Sequence, residues 1–295
     1  MDQTQAAILE RVRSLNTWKR GGERAPHKPL LLLLSLSRIA QGLPRLVAFS
    51  DLDLALATLL RNYGPPRASV HPEYPFWHLQ SDGLWEIVKG DSLRKRRGGN
   101  DPLKSELISQ HVHGGLPESI YLTLRDHPVF LNEVIRELLD RNFPASLHED
   151  ILNELGLSMS LVGRRKRDGQ FRANVVTAYG HCCAICGFDM KIGVSDFALD
   201  AAHIKWHQVG GPDIVDNGLA LCSIHHKALD RGVIGIGADD TILISVELHG
   251  NSWAKEWFEG FNGRSLRKPT RVEWYPKTEY LKWHFDQVFR LPARD

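Results

Sequence analysis

The chain has 295 residues, of which 42% are hydrophobic and 24% charged, with a formal net charge of +2. Those values exclude a disordered tail-like chain and leave room for two domains with cores of their own. The near-neutral charge excludes a uniformly basic surface, so any nucleic-acid contact has to rest on local patches.

In chain order, residues 2–18 suit a short helix and residues 20–28 a polar loop. Pro29 can open a helix that carries the apolar run 30–39. Its core, 30–36, is too short to span a bilayer. Residues 51–61 suit an amphipathic helix, and Pro65, Pro66 and Pro72 then impose extended or turn geometry. Residues 74–79 and 84–88 flank Ser81-Asp82-Gly83 and predict a hairpin, with Phe76 in the core. Helical patterning returns at 128–142, where Pro128 can take the first position, and a shorter helix is predicted at 149–155. This is an α+β pattern, with residues 1–145 as one domain, 146–170 as a linker and 171–295 as a second domain. No targeting segment is recognisable, so a cytoplasmic, reducing location and no membrane partner are expected.

Two basic runs stand out. Arg94-Lys95-Arg96-Arg97 is followed by Gly98, and Arg164-Arg165-Lys166-Arg167 is followed closely by Arg172. Such runs are either solvated loops or phosphate contacts. Arg20 is a candidate phosphate contact, Arg96 and Arg97 can reach guanine edges, and Gly98 allows close backbone approach to DNA.

The densest chemistry lies beyond residue 180. Cys183-x-x-Cys186 and Cys222-x-x-His225 are two knuckles at the spacing of a structural zinc site. They use three of the four cysteines. Cys182 is an alternative to Cys183, although the two-residue gap favours Cys183. Buried thiols or a disulfide are the other readings of the pairs, and neither accounts for His225 at ligand spacing.

Between and after these knuckles lie His203, Asn217, His226 and Asp230. A hairpin is expected after Cys186, its second strand ending at His203. Gly210-Gly211-Pro212-Asp213 reads as a break, and a helix is expected from Ser223, stopped at Gly232. His226 and Asp230 are four apart and share a helical face, where they can hold a divalent cation. His203 then suits a general base and Asn217 a loop tether. The helix-like ending around Tyr280–His284 reads as aromatic packing, not catalysis.

Cys183-x-x-Cys186, Ala201-Ala202-His203-Ile204, Asn217-Gly218-Leu219-Ala220-Leu221-Cys222 and His225-His226-x-x-x-Asp230 resemble an HNH endonuclease of the McrA-like type. The resemblance implies a ββα-metal fold with His203 as general base, Asn217 ordering the loop and His226 binding a catalytic magnesium or manganese ion. Asp230 matches a position held by a second histidine ligand in nuclease colicins. Many relatives carry a ligand immediately before the base, where Ala202 stands here. Either Asp230 or Asp200 is therefore expected to supply the carboxylate, Asp200 only if the strand bulges, since its position faces the other side.

The first domain resembles the sulfur-binding domain of restriction endonucleases that cut phosphorothioate-modified DNA. The resemblance rests on Pro26-His27-Lys28-Pro29, Tyr63-Gly64-Pro65-Pro66-Arg67, Tyr74-Pro75-Phe76-Trp77-His78-Leu79 and Ser81-Asp82-Gly83-Leu84-Trp85. It implies a sulfur pocket built from Tyr74 and Pro75 with His27 and Lys28. The family's pair before proline is His-Arg, and lysine lacks the planar fork of arginine. Together the two resemblances imply a phosphorothioate-dependent HNH restriction endonuclease with structural zinc, acting on double-stranded DNA, expected as a homodimer. A methylcytosine-dependent enzyme and a non-catalytic zinc-containing regulator are the alternatives.

Overall fold

A computed structural model describes residues 2–17, 23, 25–88, 93–95, 101–158 and 169–295. Arg20, Arg96, Arg97, Gly98 and the run 164–167 lie outside the described residues. The chain divides into two compact units, Met1–Arg164 and Arg165–Asp295.

The first unit is built round the helix His27–Ala40. Leu30, Leu31, Leu32, Leu33, Leu36 and Ile39 are all buried, more than one face can accommodate. The reason is that this helix is surrounded: Phe49–Tyr63, Glu73–His78, Glu118–Asp126 and Pro128–Asn142 all pack on it. Ser35 and Ser37 stay dry because each hydroxyl donates back to a carbonyl of the preceding turn, Leu31 and Leu34. The first helix, Gln3–Arg13, starts on a reciprocal cap between Asp2 and Gln5 and packs on Pro128–Asn142. A small antiparallel sheet has the order Val47–Ala48, His113–Gly115, Glu86–Val88.

Two expectations change here. Residues 74–79 are not a strand: Glu73–His78 is a helix, Leu79–Asp82 a 3-10 turn, and Glu86–Val88 pairs with His113–Gly115 instead. Phe76 and Leu79 are fully buried one turn apart, a helical spacing that an aromatic-rich run conceals. The expected linker also begins too early. The helix Ala145–Glu154 buries Leu147, Ile151 and Leu152 and packs on Phe49–Tyr63 and Pro128–Asn142. Gln41 Nε2 donates to Leu155 O at 2.9 Å, so the chain stays in the first unit past the end of that helix.

Lys28 turns inward as well. Its Nζ lies 2.6 Å from Asp82 Oδ2, and the side chains are 13% and 4% exposed. Asp82 Oδ1 also accepts from Asn16 N at 2.7 Å. The pair fastens the start of the central helix to the 3-10 turn. Lys28→Met is expected to cost about 3 kcal/mol of stability by stranding a buried carboxylate, with much of it recovered in the Lys28→Met/Asp82→Asn double variant. Thermal and urea denaturation of the three proteins checks this, and an unchanged single variant contradicts it.

In the second unit, Leu199–His203 pairs antiparallel with Gly218–Cys222, in a register that sets Leu199 opposite Cys222 and His203 opposite Gly218. The helix Ser223–Asp230 follows directly, completing a ββα unit. The expected partner strand for His203 was upstream. Residues Lys191–Ile192 instead pair with Ser195–Asp196, and Ala198, at φ 53, turns the chain before Leu199. Gly232, at φ 73, ends the helix turn, and its amide donates to Leu229 O. Ile234–Ile236 and Ile242–Ile244 form a further pair. The helix Gly169–Ala178 covers the hairpin so closely that a Cβ at Gly218 would lie 2.5 Å from Val175. The helix Thr278–Gln287 buries Tyr280, Leu281, Trp283 and His284, and His284 Nε2 hydrogen-bonds Leu229 O at 3.0 Å, a packing role. Among the described residues no helix is long and apolar enough to cross a membrane.

Candidate metal centres and DNA-reading cleft

Cys183, Cys186, Cys222 and His225 come together with their ligand atoms all within 4.8 Å. The first pair sits on the turn after residue 182, the second where the strand Gly218–Cys222 meets the helix. His225 is fully buried. Its Nε2 lies 2.8 Å from Trp257 O and donates to it, which leaves Nδ1, 3.3 Å from Cys222 Sγ and 3.6 Å from Cys183 Sγ, as the free donor atom. Burial opposes charge on this imidazole, but the sulfurs of Cys183 and Cys222 outweigh it and raise its pKa to about 10. Three sulfurs and one imidazole, all but Cys186 buried, fit structural zinc. Cys182 points elsewhere, toward Gly180 O.

The second centre lies on the hairpin and its helix. His203 ends its strand, stacks on the Phe171 ring at 4.0 Å between centroids, and places Nε2 2.7 Å from Asp213 Oδ1. Burial is the chief influence on His203 and pushes its pKa below the ordinary value. Asp213 and the more distant Asp230 pull upward, and His207 adds to the downward push. The ring is therefore neutral near neutrality and able to take a proton.

Asn217 is fully buried. Its Oδ1 accepts from Lys205 N at 2.9 Å, while Nδ2 donates to Lys205 O and Pro212 O at 3.0 and 2.9 Å. Its backbone carbonyl accepts from Ile204 N. One amide thus ties both ends of the loop 205–212 beside His203.

His226 Nε2 lies 3.3 Å from Asp230 Oδ2, and the two side chains are 12% and 2% exposed. The helix bearing them packs on the strand bearing His203. An imidazole and a carboxylate on one helical face are a donor set that fits a hard divalent cation in part. Asp200 does not join them. Its Oδ1 accepts from Ala201 N and lies 3.3 Å from Arg172 Nε, on a strand that runs without the bulge needed to turn it. Arg172 is occupied there too, donating to Leu199 O at 2.7 Å. Asp213, His207 and Phe171 were not singled out from the sequence. The one signal was Asp213 closing a Gly-Gly-Pro turn, which reads first as a loop.

In the first unit an open cleft of about 310 Å³ is lined by His27, Leu60, Pro65, Arg67, Val70, His71 and Tyr74, among others. His27 opens the central helix and Tyr74 lies in the next-but-one helix, so the two sequence candidates meet. Pro75 is buried and does not line the cleft. Lys28 faces Asp82. His71 stands over Tyr74 with ring centroids 4.9 Å apart and is held by Glu73 and Ser69, each at 3.0 Å.

The sequence profile described as "ScoMcrA-like, DNA sulfur-binding domain" matches residues 5–160, more than half the chain. The chain belongs to this family. Residues 183–237 match the HNH endonuclease profile, so the sulfur-binding family member carries an HNH endonuclease domain behind its family domain. Among solved structures, the sulfur-binding domain of ScoMcrA complexed with phosphorothioated DNA is 28% identical, covering 53% of this chain and 98% of that one at a TM-score of 0.46. That of SprMcrA, also complexed with phosphorothioated DNA, is 26% identical, with coverages of 53% and 98% and a TM-score of 0.46. The Type IV phosphorothioation-dependent restriction endonuclease ScoMcrA is 27% identical, over 55% of this chain and 36% of that one, at 0.44. No curated protein sequence matches the chain. Family membership rests on the profiles.

Proposed function

We propose that this sulfur-binding family member is a modification-dependent restriction endonuclease. Its first unit selects DNA bearing a backbone phosphorothioate, and its second unit hydrolyses a phosphodiester nearby. The observation that carries the reading is the meeting of His27 and Tyr74 in one cleft with Leu60, Pro65 and Val70 as apolar wall. Sulfur is larger, more polarisable and less hydrated than the oxygen it replaces. An apolar wall tolerates sulfur and leaves a phosphate oxygen desolvated without compensation. His27 and Arg67 at the rim balance the backbone charge.

In the second unit His203 accepts the proton of the attacking water, and Asp213 holds the ring in place. Asn217 keeps the loop between them closed. His226 and Asp230 would hold a magnesium or manganese ion, which would supply positive charge to the phosphoryl and leaving oxygens. Cys183, Cys186, Cys222 and His225 would hold a zinc ion that ties the turn after residue 182 to the junction of strand and helix. Cutting both strands is most simply done by a cytoplasmic homodimer.

The test is a cleavage assay on matched plain, phosphorothioate and methylcytosine duplexes with magnesium or manganese. Cutting of the phosphorothioate duplex alone is expected. Cutting of the methylcytosine duplex alone, or of none, contradicts the reading.

The rate has a predictable pH dependence. The base works only when neutral, and the His203 pKa lies below 6.5, so activity falls with acid through a midpoint below that value. Asp213→Asn removes the main upward pull and moves the acid limb lower still. Single-turnover rates against pH check both, and a wild-type midpoint above the ordinary imidazole value contradicts the assignment.

A further inference from the structure

We propose that His203, His207 and Asp213 form a second transition-metal site, which takes zinc and silences the nuclease centre by occupying its base. The silencing rests on the reading of His203 given above; the binding rests on geometry. His203 ends its strand, His207 begins the 3-10 turn His207–Val209, and Asp213 lies in the loop that follows. Their ligand atoms all lie within 4.8 Å of one another. Asp213 Oδ1 is 2.7 Å from His203 Nε2 and 3.3 Å from His207 Nδ1.

Tetrahedral zinc with nitrogen and oxygen donors at about 2.0–2.1 Å spaces those donors roughly 3.3 Å apart. The shorter of the two distances has to open by about half an ångström, and exposed Asp213 can yield it. The rest of the frame is set. Phe171 fixes the His203 ring, and the Asn217 amide fixes Pro212, next to Asp213. Two imidazoles and one carboxylate suit zinc and leave a fourth position for water, whereas magnesium prefers oxygen donors throughout. His207 and Asp213 are 65% and 48% exposed, so the site opens to solvent. It shares no ligand with the cysteine site. An imidazole with one nitrogen on zinc is a much weaker base at the other, so occupancy stops proton transfer from water.

Two measurements test this on the full chain. Equilibrium dialysis against buffered zinc, with excess magnesium present, is expected to give one more zinc per chain in the wild type than in His207→Ala. Equal stoichiometry overturns the site. In manganese-supported cleavage, buffered zinc is expected to inhibit the wild type, and His207→Ala to need at least about tenfold more zinc. Coincident inhibition curves, or no inhibition of the wild type, overturn the silencing. Dialysis needs no cleavage, so the site can fail while the nuclease reading stands, or stand while that reading fails.

Discussion

Replacing His203 with alanine is expected to slow DNA cleavage by about 10²–10⁴-fold, the usual contribution of a positioned general base, and to leave DNA binding by the first unit unchanged. The size follows from how much is arranged round this one ring. Phe171 stacks on it, Asp213 holds one nitrogen, and Asn217 closes the loop beside it. None of these neighbours can replace its lone pair: Asn217 does not titrate, and His207, whose Nδ1 lies 3.3 Å from Asp213, is on the exposed side of the loop. Removing the ring takes away a stacked face but no backbone hydrogen bond, so the fold should hold. Single-turnover cleavage and a binding titration on the same duplex check the two halves. A variant that cuts at the wild-type rate removes His203 from the reaction.

The second large effect concerns the cysteine site. Cys222→Ala is expected to abolish the cooperative melting of the second unit and its stoichiometric zinc, with the first unit still folding. The second unit has short strands, the longest pair being Leu199–His203 with Gly218–Cys222. Among the described residues its hairpin meets the turn at Cys183–Cys186 through one backbone bond, Ala184 N to Ala220 O at 2.7 Å, through Ala184 and Ile185 in the shared buried core, and through the four ligands. Structural zinc in small domains contributes about 10 kcal/mol or more of folding free energy, which those contacts alone cannot replace. Losing Cys222 also leaves His225 buried with one sulfur fewer to balance it. Calorimetry with zinc analysis checks this. Two unchanged transitions in a protein that retains its zinc would show the site to be dispensable.

What the sequence makes legible depends on how local the physics is. The zinc knuckles, His203 and Asn217 stand out because their chemistry demands particular residue types at short spacing, and the structure brings each group together. The helix Pro128–Asn142 is legible at both ends, since proline marks its start and periodicity carries it through. Residues 73–78 mislead because aromatic content resembles a strand, and only the burial of Phe76 and Leu79 one turn apart betrays the helix. Lys28 misleads for another reason: Asp82 lies far along the chain, and no local pattern announces a buried ion pair. Asp200 shows a rule working. Strand alternation turns it away from His203, and it spends its charge on Arg172. Asp213 shows the converse, a residue whose importance arises only when the loop folds back on the strand end.

Selection of sulfur over oxygen in a DNA backbone by the apolar-walled cleft is what the proposed function stands on. Its most direct measurement is the equilibrium affinity of the cleavage-deficient His203→Ala chain for two duplexes identical except for one non-bridging sulfur. Tighter binding to the sulfur duplex by at least about tenfold, or about 1.4 kcal/mol, is expected, with the preference lost on enlarging the polar character of the wall by Tyr74→Ser. Equal affinity for the two duplexes would contradict it.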